Sequence, residues 1–238
     1  MNFFEKIKEL QRARSTLLCV GLDPEIGKFP GVLGQSPSSI FTFNKKTNDA
    51  TADVVCCYKP NIAFYEQYGE EGRAALTETM EYIRGKGVPT ILDAKRADIG
   101  NTGVAYARAI FEVWGADATT VNQYFGKEGI EPFISYRDKG IFVLALTSHM
   151  WDLEGEMYLD IARKVAEWNT NKNFGLVVAA NQPAKMKKVR ATSPGVPFII
   201  PGVGAQKGDV AEAVQSGTAG GAIAIINASR SISYASSG

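Results

Sequence analysis

A closed (β/α)8 barrel, the TIM-barrel form of the α/β class, is the fold this sequence predicts, and three observations predict it. Eight short β-rich apolar runs alternate with longer amphipathic stretches along the whole chain. No linker or low-complexity segment divides the 238 residues, so residues 1–238 read as one domain. With 45% hydrophobic residues, the chain can fill one sizeable core. An open doubly wound sheet is the competing arrangement, and eight repeated units favour closure over it.

The elements follow in order. Met1-Asn2-Phe3-Phe4-Glu5-Lys6 opens a charged amphipathic helix and lacks the apolar centre of a signal peptide. The expected strands are Leu17–Leu22, Val54–Tyr58, Pro89–Leu92, Ala118–Val121, Ile141–Leu146, Gly175–Ala179, Phe198–Ile200 and Ala222–Ile226. Amphipathic stretches such as Ala74–Arg84, Val104–Trp114, Met157–Trp168, Ala184–Arg190 and Val210–Ser216 read as the intervening helices. The loop from Gly27 to Ser39 is expected to wrap the rim. Only twelve residues follow Ile226, so a full eighth helix is not expected.

Charge and cysteine usage narrow the class. Lys plus Arg total 26 against 25 Asp plus Glu, and the net charge of +1 gives no field that would draw nucleic acid or a membrane surface. No apolar run approaches the roughly 20 residues a bilayer span needs. Cys19, Cys56 and Cys57 lie in strand-like runs without metal-ligand spacing, which fits buried thiols in a reducing cytoplasm. With a single histidine, His149, no Ser-His-Asp triad, Cys-His pair or His-rich metal site is expected; it reads as a loop histidine without chemistry.

Barrel enzymes carry their working residues at the C-terminal ends of strands. Here those ends supply Asp23, Lys59, Asp93 with Lys95, Asn122, Thr147-Ser148, Asn181, the Gly202–Gln206 loop, and Arg230. Strand alternation puts Asp93 and Lys95 on one face, and Asp98 falls just beyond, where the chain turns into a helix. Loop polarity alone accounts for some of these residues. Two lysines and three carboxylates aimed at one mouth are more than it supplies, because buried charges persist only when paired or used.

The seventh loop, Pro201-Gly202-Val203-Gly204-Ala205-Gln206-Lys207-Gly208-Asp209, is glycine-rich and leads into a helix whose free N–H groups favour an anion. Arg230 would add a bidentate fork to the same oxygens, so this end of the mouth reads as a phosphate site. The run Lys185-x-Lys187-Lys188-x-Arg190 reads as a solvated helix face.

Asp93-x-Lys95-x-x-Asp98-Ile99-x-x-Thr102, the Lys59 strand, the Pro201–Asp209 loop and Arg230 together resemble the orotidine 5′-phosphate decarboxylase family. The likeness is to the branch with Asp-Ala-Lys-Arg-x-Asp-Ile-Gly-Asn-Thr and Pro-Gly-x-Gly-Ala-Gln-x-Gly-Asp, and it runs from about Leu17 to Tyr234. It implies a homodimeric lyase without metal or other cofactor that forms uridine monophosphate and carbon dioxide from orotidine monophosphate. It further implies that Lys59, Asp93, Lys95 and Asp98 form the catalytic charge network, with Lys95 the proton donor to C6. Asp98 and Thr102 would reach the partner's site. Asp23 and Thr102 would contact ribose, Ser148 the pyrimidine edge, and Gln206, Gly202, Gly204 and Arg230 the phosphate. Asn122 would have a structural role nearby.

Two rivals remain open on the residues. A sugar-phosphate decarboxylase or aldolase on the same barrel plan resembles this chain in Asp-x-Lys-x-x-Asp. It would use Mg²⁺ and a carboxylate where Lys59 stands, and a lysine there repels a metal. A non-catalytic nucleotide-binding barrel would have no use for so many desolvated charges.

Overall fold

In a computed structural model, which describes residues 1–148, 155–203 and 208–235, eight parallel strands form one nearly closed barrel. The strands are β1 (Leu18–Leu22), β2 (Cys57–Pro60), β3 (Ile91–Arg96), β4 (Ala118–Val121), β5 (Gly140–Leu146), β6 (Phe174–Val178), β7 (Phe198–Ile200) and β8 (Ala224–Ala228). Their order is β2-β1-β8-β7-β6-β5-β4-β3. The β2–β3 seam is closed by two isolated bridges, Tyr58 with Thr90 and Asn61 with Asp93.

The helices are α1 (Phe3–Arg14), α2 (Ile40–Thr51), α3 (Ala63–Glu66), α4 (Gly69–Gly85), α5 (Gly100–Arg108), α6 (Gly126–Ile134), α7 (Met157–Trp168), α8 (Pro183–Thr192), α9 (Val210–Gly217) and α10 (Arg230–Ser233). None of the described helices is long and apolar enough to cross a membrane.

Strands β4 and β7 fall where the sequence places them, whereas β2, β3 and β8 run further toward the mouth. The apolar runs stop before Lys59, Asp93 and Asn227, but these polar residues are buried within the strands. Pairing makes that tolerable. Helix α2 has no counterpart among the expected stretches because its inner face carries Asn44 and Asn48, both fully buried, where helical periodicity calls for apolar residues. Helix α6 is likewise obscured, by Pro132 inside it. After β8 the chain forms the single turn α10, so the segment expected to lack an eighth helix still has one helical turn.

At the opposite end of the barrel, α1 lies across the opening. Phe3 and Phe4 meet Phe142 edge-to-face with ring centroids 6.0 and 5.5 Å apart. These rings and Ile7 pack on inward-facing Cys19, Cys57, Ile91, Ile199 and Ile225. Cys19, Cys56 and Cys57 are all buried and unpaired. Burying each large side chain of this plug contributes about 1.5–3 kcal/mol.

Helices α5 and α6 cross closely at Gly103, where an added Cβ would collide with the Asp98 carbonyl and touch the Pro132 ring. The Asp98 N–H donates to the Gly129 carbonyl at 3.3 Å, which fixes the turn between β3 and α5.

Candidate active site

A cavity of about 410 Å³ opens at the C-terminal ends of the strands. That volume lies within the roughly 300–1,000 Å³ usual for small-molecule sites. One half is charged: Asp23 follows β1, Lys59 lies on β2, and Asp93 and Lys95 lie on β3. The facing half is apolar, with Leu144, Val177 and Ile199 from β5, β6 and β7.

Asp93 sits at the centre of the charged half. Its Oδ2 accepts from Lys59 Nζ at 2.9 Å, and its Oδ1 from Lys95 Nζ at 2.6 Å and Thr120 Oγ1 at 2.8 Å. Side-chain exposures are 7% for Lys59, 11% for Asp93 and 48% for Lys95, so Lys95 is the amine offered to the cavity. Burial by itself would lower the Lys59 pKa, but the charges of Asp93 and then Asp23 outweigh it and raise it above the ordinary 10.5. Burial likewise opposes ionisation of Asp93, and the charges of Lys59 and Lys95 override it, holding the carboxyl well below the ordinary 3.8. Asp93 is therefore an anion with two cations attached.

The local backbone explains how Lys95 is aimed. Between Leu92 and Arg96 the β3–β4 register shifts, and Lys95 takes the left-handed conformation with φ of 50°. A non-glycine residue held there costs of order 1–3 kcal/mol and persists only where its surroundings fix it. Two contacts fix this one. The Lys95 N–H donates to Thr120 Oγ1 at 3.0 Å, and the Lys95 carbonyl accepts from Asn122 Nδ2 at 3.1 Å.

Asp23, Ser148, Gly202 and Arg230 also line this cavity. The start of the fifth loop is held by Asn181 and Gln182, which donate to the carbonyls of Ser148 at 2.9 Å and Thr147 at 2.6 Å. Gly202 has a φ of 92°, and its carbonyl accepts from the Gly208 N–H at 3.1 Å, pinching the seventh loop at its base. Arg230 is exposed at the start of α10 and makes no ion pair among the described residues.

Asp98 and Thr102, expected to reach a partner's site, do not line their own chain's cavity: Asp98 accepts from its neighbour Ile99 N–H at 2.8 Å, and Thr102 is exposed on the first turn of α5. The α9 N-terminus is not free, because Asp209 caps it and accepts from Glu212 N–H at 2.8 Å. That carboxylate brings its own negative charge to the place an anion would take. Gly204, Gln206 and His149 lie outside the described residues.

Sequence reasoning also passed over Asn61, Thr120, Asn227 and Ser229 in the cavity wall. Thr120 is hard to find because a threonine within a β-branched run looks like ordinary strand. Asn61 had a usable signal, standing two residues beyond Lys59. Among the described residues no three His, Cys, Asp or Glu side chains gather as a metal-ligand group.

The model of the orotidine 5′-phosphate decarboxylase / HUMPS family matches residues 16–237 of the chain. An orotidine 5′-phosphate decarboxylase of Dehalococcoides mccartyi (strain CBDB1) is 45% identical over 251 residues, covering all of this chain and 91% of the relative. That of Thermomicrobium roseum is also 45% identical, over 247 residues, covering 99% of this chain and 88% of the relative. The solved OMP decarboxylase of Leishmania donovani superposes with a TM-score of 0.85 at 34% identity, covering 98% of this chain and 91% of that one. The UMP synthase of the same organism gives 0.88 at 36% identity, and this chain spans 52% of its length while 98% of this chain is covered.

Proposed function

The chain belongs to the orotidine 5′-phosphate decarboxylase / HUMPS family, and from that premise we propose that it converts orotidine 5′-monophosphate to uridine 5′-monophosphate and carbon dioxide, the last step of pyrimidine nucleotide synthesis. The observation that carries this reading is the half-exposed Lys95 ammonium, clamped on Asp93 and facing an apolar wall.

In the proposed reaction the bond from C6 to the carboxyl carbon breaks and its electron pair stays on C6. No neighbouring group on the ring delocalises that pair, so the protein must stabilise it directly. The Lys95 ammonium does so, since opposite charges about 4 Å apart attract by about 4 kcal/mol at an effective dielectric of about 20. Because Asp93 already fixes the ammonium, little reorganisation accompanies the growth of charge. Lys95 Nζ then gives its proton to C6 as a general acid and regains one from solvent. Leu144, Val177 and Ile199 keep water from the departing carboxyl and suit the apolar product. Lys59 maintains Asp93 as an anion.

Arg230, Gly202, Gly204 and Gln206 would hold the phosphate, Ser148 the pyrimidine edge and Asp23 a ribose hydroxyl. Asp98 and Thr102 would complete the site of a second copy. The exposure of Thr102, and the half-buried Asp98, beside the exposed apolar Ile99 and Val104 support that arrangement. The reaction is assigned to the cytoplasm, where its nucleotide substrate would be made. The test is direct: purified protein supplied with orotidine monophosphate alone should release carbon dioxide and uridine monophosphate in equal amounts. Failure to release either product removes the proposed activity.

A further inference from the structure

Asp23 lines the cavity with a buried Oδ1 that has no hydrogen-bond partner among the described residues. A buried carboxylate oxygen without a donor is costly, so this atom is poised for a donor brought by a ligand. Asp23 lies beyond the end of β1, and the chain that follows forms only short 3-10 turns from Ile26 to Ser39. No helix fixes its direction.

Tyr234 supplies the missing constraint from the far end of the chain. Its hydroxyl accepts from the Glu25 N–H at 2.7 Å and donates to the Asp23 carbonyl at 3.3 Å. The ring stacks on Phe43 with centroids 5.5 Å apart and planes 16° from parallel, and Phe43 stacks in turn on Phe29. Burial pushes the phenol pKa up to about 12, so the hydroxyl keeps the proton it donates. The Tyr234 N–H donates to the Arg230 carbonyl at 3.1 Å, which places tyrosine and arginine at the two ends of one helical turn. That turn is pressed against β1, since a Cβ at Gly21 would collide with Ser229.

We propose that Tyr234 is a positioning residue whose hydroxyl, bridging Asp23 and Glu25, aims the Asp23 carboxylate at a sugar hydroxyl of the bound nucleotide. This rests on the ribose role of Asp23 in the proposed function. It adds that the turn carrying Arg230 also sets the sugar contact, so the phosphate and ribose ends of the site share one support.

The experiment compares Tyr234→Phe, Asp23→Asn and the double variant, reading KM, kcat and melting temperature with orotidine monophosphate. Loss of two neutral hydrogen bonds should raise KM about five- to tenfold in Tyr234→Phe, with kcat changed less. In the Asp23→Asn background the same substitution should change KM by less than about twofold, because the group it aims is already disabled. An unchanged KM in Tyr234→Phe, or the same fold-loss in both backgrounds, overturns the positioning role while leaving the ribose role of Asp23 intact. An unchanged KM in Asp23→Asn alone removes that ribose role, and the positioning role with it. Phe43→Leu separates packing from aim: it loosens the ring stack and keeps the hydroxyl, so melting should fall with KM unchanged. A KM rise in Phe43→Leu equal to that of Tyr234→Phe assigns the effect to packing and overturns the proposal.

Discussion

The backbone N–H of Lys95 is tied to the hydroxyl of Thr120 at 3.0 Å, and the same hydroxyl donates to Asp93 at 2.8 Å. One threonine on β4 thus holds both the left-handed backbone of the lysine and the carboxylate that receives its amine. Replacement by valine keeps the shape and removes both bonds. Thr120→Val is expected to lower kcat by about 10- to 100-fold and to lower the melting temperature by several degrees. Steady-state kinetics and calorimetry check this, and a kcat within twofold of wild type would show that the tether is dispensable.

Lys95→Ala removes what is, among the described residues, the only amine that both pairs with Asp93 and faces the cavity openly. The proposed general acid and the proposed charge stabilisation go together, so turnover should drop by on the order of 10⁴-fold or more. Binding of uridine monophosphate should stay within about tenfold, because the proposed phosphate and sugar contacts lie elsewhere. Single-turnover measurements paired with titration calorimetry separate the two quantities.

Arg230→Ala tests the phosphate end. Loss of charge-assisted bonds should weaken uridine monophosphate by about 10- to 100-fold and leave uridine nearly unaffected. Equal losses for nucleotide and nucleoside would remove Arg230 from that role.

Asp98 stands outside its own cavity, which leads to a mixing experiment. Lys95→Ala and Asp98→Ala proteins, each inactive alone, should regain roughly one quarter of wild-type activity when their subunits exchange, since random pairing leaves one intact site in half of the dimers. Mixtures that stay inactive after verified exchange would place Asp98 outside any shared site.

The ion pair also sets a pH window for stability. Asp93 titrates below its ordinary value of 3.8, so its contribution is present above 3.8 and is lost as pH falls from there through its folded value. Lys59 titrates above its ordinary 10.5, so its contribution is present below 10.5 and disappears as pH rises through its folded value. Urea midpoints should show wild type ahead of Asp93→Asn between these limits. The gap should narrow on acidification below about pH 3.8. A constant gap down to pH 2 would contradict the pairing.

The barrel and the charged half of its mouth were legible because each strand announces itself by an apolar run and Asp93 and Lys95 break such a run at alternate positions. What aims the lysine was not legible. The register shift depends on β4, and Thr120 is distinguished from its strand neighbours only by what it touches. The α9 N-terminus looked open because Asp209 belongs equally well to a loop or a cap, and only the folded turn decides between them. Helix α2 went unseen because Asn44 and Asn48 occupy its inner face, a pattern that reads as polar until Asn44 is found donating to Tyr65 and Thr79. Tyr234 gave no signal, being separated from Asp23 and Glu25 by most of the chain.

Among the described residues, the aromatic plug formed by Phe3, Phe4 and Phe142 blocks the base of the barrel. Carbon dioxide formed in the proposed reaction is therefore expected to leave through the mouth, past the proposed nucleotide subsite. Ordered departure is the expected consequence, the small apolar product first and the nucleotide after it, and added uridine monophosphate should then compete directly with substrate.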